Sequence, residues 1–285
     1  MGGTGKSTLA LAAALCISEG LAHIGMAVPE AQNVLILDWE SEEDEQRTRL
    51  AELCEGFGLE KRAHVFYKPM RVSLPASVDS VARHMAVHNI QGLIMDSAAL
   101  ACGSDPEKAD STNNYFMALR ALKPTWSLTI AHQPKAKEKD QFPFGSVFWW
   151  NSPRAIWWAQ VSNKREDGSI HVGLFNRKTN NRPQAQPQGF KIQFGDGRTT
   201  ISTENLRQVI DLRQQLSIGA QILEGLKDAH KNLSRGLSTA ELADLCSCSE
   251  SSIRATTSRM ADTLVKLGNE WHLKAREVSQ DPLSL

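Results

Sequence analysis

The sequence predicts an α/β protein in which helices flank a parallel sheet and a small helical domain follows. Three observations support this fold class. A glycine-rich loop opens directly into an apolar helix, short apolar runs alternate with amphipathic segments from 33 to 131, and residues after 203 have a mostly helical pattern. Strands that alternate with helices are typical of a parallel sheet with crossover helices on its faces. We therefore predict two domains, at 1–202 and 203–285.

The glycine-rich loop has the composition of a phosphate-binding loop. It consists of Gly2, Gly3, Thr4, Gly5, Lys6, Ser7 and Thr8. Glycines let successive backbone N–H groups converge on a phosphate, and the positive N-terminal end of the next helix adds to the attraction. We expect Lys6 to contact the β- and γ-phosphates of ATP, and Ser7 to bind Mg²⁺ with Thr8 as support. The alternative is a glycine-rich helix start that binds no nucleotide, which the Gly-Lys-Ser sequence before an apolar helix disfavours.

The usual loop pattern extends beyond the sequence given. The first glycine of G-x-x-x-x-G-K-[ST] would fall one residue before Met1. The strand that leads into such a loop is also missing from the sequence. We therefore expect a sheet without its first strand, in a chain that starts late.

The other elements follow from apolar periodicity. Buried strands are predicted at 33–37, 92–95 and 126–131, a short strand at 64–67, and helices at 8–21, 41–57, 77–87 and 110–122. Shorter alternating strands are predicted at 155–161, 170–176, 189–194 and 199–202. Because turns separate these shorter strands, we expect them to be antiparallel additions to one edge of the parallel sheet.

Three of the predicted buried strands end in polar residues suited to ATP chemistry. Ligands of parallel α/β sheets lie at the carboxyl ends of the strands, where these residues should gather. Glu40 could polarise the water that attacks the γ-phosphate, and Asp96 is placed to support Mg²⁺. His132 and Gln133 could sense whether the γ-phosphate is present. Each signal alone is weak, because strands often end in an acid and a single histidine is more often structural.

Charge and cysteine content argue against several other classes of protein. The chain carries 32 Lys and Arg residues against 32 Asp and Glu residues, so global charge points to neither nucleic acid nor membrane. No apolar run approaches the ~20 residues of a membrane span. The five cysteines form no C-x-x-C pair. We expect a cytoplasmic protein without a membrane partner, a disulfide framework or a zinc site.

From the loop to about residue 181, the sequence resembles the RecA-type ATPases, and among them the hexameric replicative helicases similar to plasmid RepA. The stretches that carry the resemblance are 34–41, 93–97, 132–135 with 145–146, and 176–180. The resemblance implies ATP and Mg²⁺ as cofactors and assembly into a homo-oligomeric ring, with a hexamer as one form of it. It also implies a catalytic role for Glu40 and a magnesium role for Asp96. Arg177 and Lys178 would reach the nucleotide of the neighbouring subunit and stabilise charge on the transferring phosphoryl group.

The segment after the predicted sensor strand is basic and aromatic. In the resembled family this loop faces the centre of the ring, so we predict that Lys135, Lys137 and Lys139 contact single-stranded DNA. A charged surface loop without DNA contacts is the alternative. For Trp149 and Trp150, packing in the core or at a subunit interface is favoured over base stacking.

Residues 203–285 predict helices and a β-hairpin. Ser238 and Glu241 form a capping-box pattern, and a Gly-Asn turn lies within the alternating stretch 265–273. The order of elements resembles a winged helix-turn-helix domain, in which Arg254 would face a DNA groove. Basic and acidic residues nearly balance in this domain, which weakens phosphate attraction and leaves a protein-binding role open.

The leading hypothesis is an ATP-hydrolysing motor, either a DNA helicase or a helicase-like replication or recombination protein of a mobile element. The alternative is a sequence-specific DNA-binding regulator that uses its nucleotide domain as an assembly switch. An inactive fragment is a third possibility. DNA-stimulated ATP hydrolysis distinguishes the first hypothesis from the second.

Overall fold

The computed structural model describes residues 5–25, 27–59, 64–133, 143–162, 168–206, 209, 212 and 216–274. The chain divides into two compact units, Met1–Leu206 and Arg207–Leu285. The last strand of the first unit runs to Glu204. The division therefore falls a few residues beyond position 202, where the sequence analysis placed it.

A four-stranded parallel sheet lies in the first unit, as predicted. Its strands are β1 (Asn33–Asp38), β2 (Val65–Pro69), β3 (Ile90–Asp96) and β4 (Trp126–Ile130), in the order β2-β1-β3-β4. The inner strands β1 and β3 are buried on both faces, which explains their unbroken apolar sequences. Asp38 pairs with Asp96. The carboxyl ends of β1 and β3 are therefore level with each other.

Helices cover both faces of this sheet. Those of the first unit are α1 (Lys6–Glu19), α2 (Glu43–Gly56), α3 (Leu74–Val87), α4 (Ala98–Ala101), α5 (Ala109–Leu122) and α6 (Phe148–Asn151). One apolar cluster joins α1 and α2 to Val34 and Ile36 of β1. A second joins α3 and α5 to Leu35 and Leu37. Alternate residues of β1 thus pack on opposite faces, as strand geometry requires.

The later strands form a separate antiparallel sheet. They are β5 (Ala155–Val161), β6 (Ser169–Thr179), β7 (Gln188–Gly195) and β8 (Arg198–Glu204), paired in sequence order. The prediction that they extend one edge of the parallel sheet is wrong, because in the described residues their ladder hydrogen bonds join them only to one another. The two sheets instead share apolar packing, since Val172 and Ile192 belong to the same cluster as Ile130 of β4.

The second unit has three helices and three short strands in its described part. They are α7 (Ile218–Leu233), β9 (Leu237–Ser238), α8 (Thr239–Cys246), α9 (Glu250–Arg259), β10 (Leu264–Leu267) and β11 (Glu270–Leu273). The strands pair antiparallel in the order β10-β11-β9. The predicted capping box is confirmed: Ser238 accepts the N–H of Glu241, whose carboxylate accepts the N–H of Ser238. The predicted hairpin is also confirmed, with Leu267 paired to Glu270 across the turn.

No helix in the described parts of the chain is long and apolar enough to cross a membrane.

Candidate active site

The start of α1 brings four of the predicted phosphate-binding residues to the carboxyl ends of the parallel strands. Gly5 has φ +70°, a left-handed conformation that favours glycine, and it caps the helix. Lys6 and Ser7 form the first turn, where the positive end of the helix favours an anion. Thr8 follows on the same turn. The predicted loop residues Gly2, Gly3 and Thr4 lie outside the described residues.

Lys6 lies within the electrostatic influence of the two predicted acids. Burial lowers the pKa of the Lys6 amine, and the negative charges of Asp96 and Glu40 raise it in part, with a net decrease. The structure therefore brings the lysine, the acid at the end of β3 and the acid beyond β1 into one site. Their roles in hydrolysis stay predictions.

Asp96 is buried at the carboxyl end of β3, 5% exposed. Burial raises its pKa, the hydrogen bond from Ser7 opposes that rise, and the charges of Asp38 and Glu40 add to it. The net pKa is raised. Two further carboxylates, those of Asp38 and Glu40, therefore lie close enough to act on the residue that the sequence assigns to magnesium.

This donor set fits Mg²⁺. The hydroxyl of Ser7 and the carboxylate of Asp96 are oxygen ligands of the kind that Mg²⁺ takes, usually together with phosphate oxygens and water. In the described residues, no group of three or more His, Cys, Asp or Glu side chains is placed to hold a metal by itself. A magnesium ion at Ser7 and Asp96 would therefore complete its coordination with nucleotide and water.

Glu40 is held by residues from two neighbouring strands. The hydroxyl of Ser97, directly after β3, makes a short hydrogen bond to Oε1 of Glu40. Nε2 of His132, beyond β4, lies 3.2 Å from the same oxygen. Partial burial raises the pKa of Glu40, but these hydrogen bonds and the positive charges of His132 and Lys6 outweigh it, so the pKa is lowered. Glu40 is therefore ionised at neutral pH, the form that a general base requires.

Trp39 directly precedes Glu40 in the chain. Its indole N–H donates to the carbonyl of Val72 at 2.9 Å, and its side chain packs against the core formed with α3 and α5. Its backbone N–H donates to the carbonyl of Asp96 at 2.8 Å, which ties the segment before Glu40 to the end of β3.

The remaining residues of the predicted sensor and DNA loop are only partly described. Gln133 is exposed next to His132. Lys135, Lys137 and Lys139 lie outside the described residues. Trp149 is 3% exposed and packs against Tyr115 and Phe116. Its predicted core packing is confirmed.

The two predicted trans-acting cations differ in surroundings, although they are neighbours on β6. The guanidinium of Arg177 lies over Trp158, 4.9 Å from the ring centroid, and over Phe175 at 5.3 Å. Its Nε and Nη2 are buried and have no hydrogen-bond partner among the described residues. Burial lowers the pKa of Arg177. This guanidinium thus has two unsatisfied donors in that part of the chain.

Lys178 is engaged within its own chain. Nζ donates to the carbonyls of Trp150, Asn151 and Pro153, at 2.7, 2.9 and 2.9 Å. These carbonyls lie at the end of α6 and just beyond it, where a cation is favourable. Lys178 therefore has partners within its own chain, and the role predicted for it at a neighbouring subunit stays a prediction.

In the second unit, Arg254 is exposed on α9 and pairs with Glu250 through Nη2 and Oε2, at 2.6 Å. A contact of this kind on a helix surface contributes little energy. Arg254 could therefore exchange its pair with Glu250 for the predicted DNA contact at little cost.

Sequence reasoning assigned no role to Ser97, Asp38 or Gln46. Asp38 accepts backbone N–H groups from Glu40 and Ser41, and the side-chain amide of Gln46. The available signal was an aspartate that ends an apolar strand two residues before a glutamate. Such an aspartate is buried by the strand while its oxygens can reach the following turn.

Comparisons with known proteins concern the fold of the chain rather than the roles of these residues. Residues 1–138 match the model of a family described as an AAA domain. Among the curated proteins, none matches this chain in sequence. The RadB recombinase structure is similar with a TM-score of 0.50 and 14% identity, over 71% of this chain and 86% of that chain. This likeness shows that the two chains share their α/β fold.

Two other solved structures are similar at lower scores. The flagellar accessory protein FlaH from Methanocaldococcus jannaschii has a TM-score of 0.45 and 15% identity, over 72% of this chain and 86% of that chain. A KaiC-like protein from Pyrococcus horikoshii OT3 has a TM-score of 0.48 and 14% identity, over 70% and 85%.

Proposed function

We propose that this protein is an ATP-hydrolysing motor of the RecA-like P-loop class. The observation that carries the proposal is the convergence of Lys6, Glu40 and Asp96 at the carboxyl ends of two adjacent parallel strands, next to the N-terminus of α1. In such sheets this edge is where ligands bind. A lysine, a helix start and two acids are the groups that phosphoryl transfer requires.

We assign the following roles to the described residues. Lys6 and the N–H groups at the start of α1 bind the phosphates and offset their charge. Ser7 and Asp96 hold Mg²⁺, which neutralises charge on the phosphate oxygens when bound. Glu40, ionised and oriented by Ser97 and His132, accepts a proton from the attacking water.

A partner subunit is proposed to complete the site. Arg177 is the residue that we assign to this role, because two of its nitrogen atoms lack partners while aromatic rings hold its plane. An arginine supplied to a transferring phosphoryl group accelerates such reactions by ~10³-fold or more. The proposed assembly is a homo-oligomeric ring of hexameric type, with single-stranded DNA as its track and Lys135, Lys137 and Lys139 as DNA contacts.

The experiment that tests the motor is ATP hydrolysis by the purified protein, with and without single-stranded DNA. We expect DNA to increase turnover. The substitution Glu40→Gln should abolish turnover while ATP binding, measured with a fluorescent ATP analogue, stays within about 3-fold of the wild type, since the amide keeps the shape but not the basicity. Glu42→Gln is the matched control, because Glu42 is two residues away with a side chain 74% exposed. Normal hydrolysis by the Glu40→Gln variant would exclude Glu40 from the mechanism.

The second candidate function is a sequence-specific DNA-binding regulator. The observation that favours it is the element order of the second unit, in which α8 and α9 precede a hairpin, as in a winged helix-turn-helix domain. Arg254 would then face the groove. Filter binding with a duplex library tests this function: preference for one duplex sequence, without DNA-stimulated hydrolysis, would favour the regulator over the motor.

A further inference from the structure

We propose that Asp38 is a positioning residue for Glu40, with Gln46 of α2 as its support. This inference rests on the proposed ATP hydrolysis, because it gives Asp38 a task in placing the carboxylate that activates water. Asp38 itself touches no reacting atom in this scheme.

The carboxylate of Asp38 folds back over the turn that follows β1. Its Oδ1 accepts the backbone N–H of Glu40 at 2.7 Å and that of Ser41 at 3.0 Å. Its Oδ2 accepts Nε2 of Gln46 at 2.7 Å. Two of these hydrogen bonds fix the backbone that carries Glu40, and the third ties the Asp38 side chain to α2.

Burial makes this arrangement stiff. Asp38 is 1% exposed and Gln46 is 6% exposed, so water does not compete for their hydrogen bonds. Hydrogen bonds to a charged group, at about 1.5–3 kcal/mol each, are stronger than those between neutral groups. Because a carboxylate only accepts, it also fixes which end of the Gln46 amide faces it.

The same turn is held from the neighbouring strand. The hydroxyl of Tyr67 on β2 donates to the carbonyl of Ser41 at 3.0 Å. Burial raises the pKa of Tyr67 to about 12, with the negative charge of Asp38 as the next contribution, so the hydroxyl remains a donor at neutral pH. Ser41 is thus held at its N–H by Asp38 and at its carbonyl by Tyr67.

Such a turn matters for catalysis because the reach of Glu40 depends on its backbone. Its side chain is 37% exposed and is restrained at its tip only by Ser97 and His132 among the described residues. A displacement of about 1 Å in a catalytic group can lower the rate by about 100-fold. The buried carboxylate of Asp38 therefore positions the backbone of Glu40, and Ser97 and His132 position its carboxylate.

Two roles of Asp38 make different predictions. If Asp38 acted only through its charge, which raises the pKa of Asp96, Asp38→Asn and Asp38→Ala would have equal effects. If it positions the turn, Asp38→Asn should remain active. Its Oδ1 can still accept both backbone N–H groups, and its Nδ2 can donate to Gln46 after that amide turns over.

The experiment compares Asp38→Ala, Asp38→Asn and Gln46→Ala in the whole protein. Asp44→Ala is the matched control, since the Asp44 side chain is 96% exposed. We expect kcat to fall 10- to 100-fold in Asp38→Ala and to stay within about 3-fold in Asp38→Asn. The dissociation constant of the fluorescent ATP analogue should stay within about 3-fold in both, because neither variant removes a phosphate ligand. Gln46→Ala should lower kcat by about 3- to 10-fold, because one of three hydrogen bonds is lost.

Amide hydrogen exchange at residues 40 and 41 provides a readout that needs no hydrolysis. Both amides should be protected in the wild type and in Asp38→Asn, and should exchange faster in Asp38→Ala. If Asp38→Ala does not fold, Gln46→Ala carries the test, with partial loss of protection expected. If the wild type does not hydrolyse ATP, the proposed function fails and amide exchange alone decides whether Asp38 holds the turn. Wild-type kcat in Asp38→Ala, equal losses in both Asp38 variants, or unchanged protection in the variant that folds would each overturn the proposal.

Discussion

Replacing Lys178 by methionine tests whether this residue supports its own subunit or acts on a neighbour. Methionine keeps most of the length of the side chain and removes the ammonium. Three carbonyls, those of Trp150, Asn151 and Pro153, would then lose a charged donor at 2.7–2.9 Å. We therefore expect the first unit to be less stable, with little direct effect on the chemistry.

The magnitude follows from these contacts. A buried hydrogen bond to a charged group contributes about 1.5–3 kcal/mol. Lys178 is only half-buried, and water can replace part of each bond, so about 0.7 kcal/mol per carbonyl and ~2 kcal/mol in total is the better figure. A loss of 1 kcal/mol shifts the melting temperature of a domain of this size by roughly 2–4 °C, so the expected decrease is about 4–8 °C.

The assay is thermal unfolding followed by tryptophan fluorescence, with ATP hydrolysis measured well below the transition. Six of the seven tryptophans lie in the first unit, so the signal reports mainly on that unit. Lys108→Met is the matched control, since Lys108 is exposed on the same unit, and it should change the midpoint by less than about 1 °C. An unchanged midpoint together with a large loss of kcat would refute this reasoning and restore Lys178 as a cation that acts on phosphate.

Two further predictions concern stability. Gly56→Ala should destabilise the first unit by about 1–2 kcal/mol in urea unfolding. The higher helix propensity of alanine alone would stabilise α2 by ~1 kcal/mol. However, the new Cβ would lie 2.0 Å from the carbonyl oxygen of Thr199, and the cost of this overpacking exceeds the gain. A stabilised variant would contradict the packing of α2 on β8. Hydrogen bonds from Arg235 and Ser238 lower the pKa of Glu241 to about 2. The ionised Glu241 therefore stabilises the folded state fully above its ordinary pKa of 4.5, and this stabilisation is lost as the pH falls towards 2. Glu241→Gln should therefore flatten the decline of the unfolding midpoint between about pH 5 and pH 3, and an equally steep decline would contradict the assignment.

The parallel sheet could be predicted from the sequence because its inner strands, β1 and β3, are buried on both faces. A run such as Val34 to Leu37 has no polar side to place in water, so only an inner strand of a covered sheet accommodates it. The acids beyond such strands could then be placed at one edge without knowledge of the strand order. This is why the sequence predicts Glu40 and Asp96 near Lys6. The charges of both acids act on the Lys6 amine, while their roles in hydrolysis stay predictions.

The placement of the antiparallel strands could not be predicted in the same way. Alternation in 155–161 and 170–176 identifies strands, but not the partner of their outer edges. Packing decides that question here, since Val172 and Ile192 bury their side chains in the cluster that contains Ile130. Contacts between residues so distant in sequence leave no local pattern.

The surroundings of Arg177 and Lys178 show why these adjacent cations should be treated as alternatives rather than as a pair. Both residues lie within β6, where Lys178 pairs with Ile156 and Asn176 pairs with Trp157, so Arg177 falls at an irregularity of the ladder. Lys178 binds carbonyls of its own chain. Arg177 stacks on Trp158, and its Nε and Nη2 have no hydrogen-bond partner among the described residues. If a neighbouring subunit's nucleotide is contacted from this strand, Arg177 is therefore the residue that contacts it. Arg177→Lys, which keeps the charge but loses the planar guanidinium, should impair hydrolysis far more than Lys178→Met.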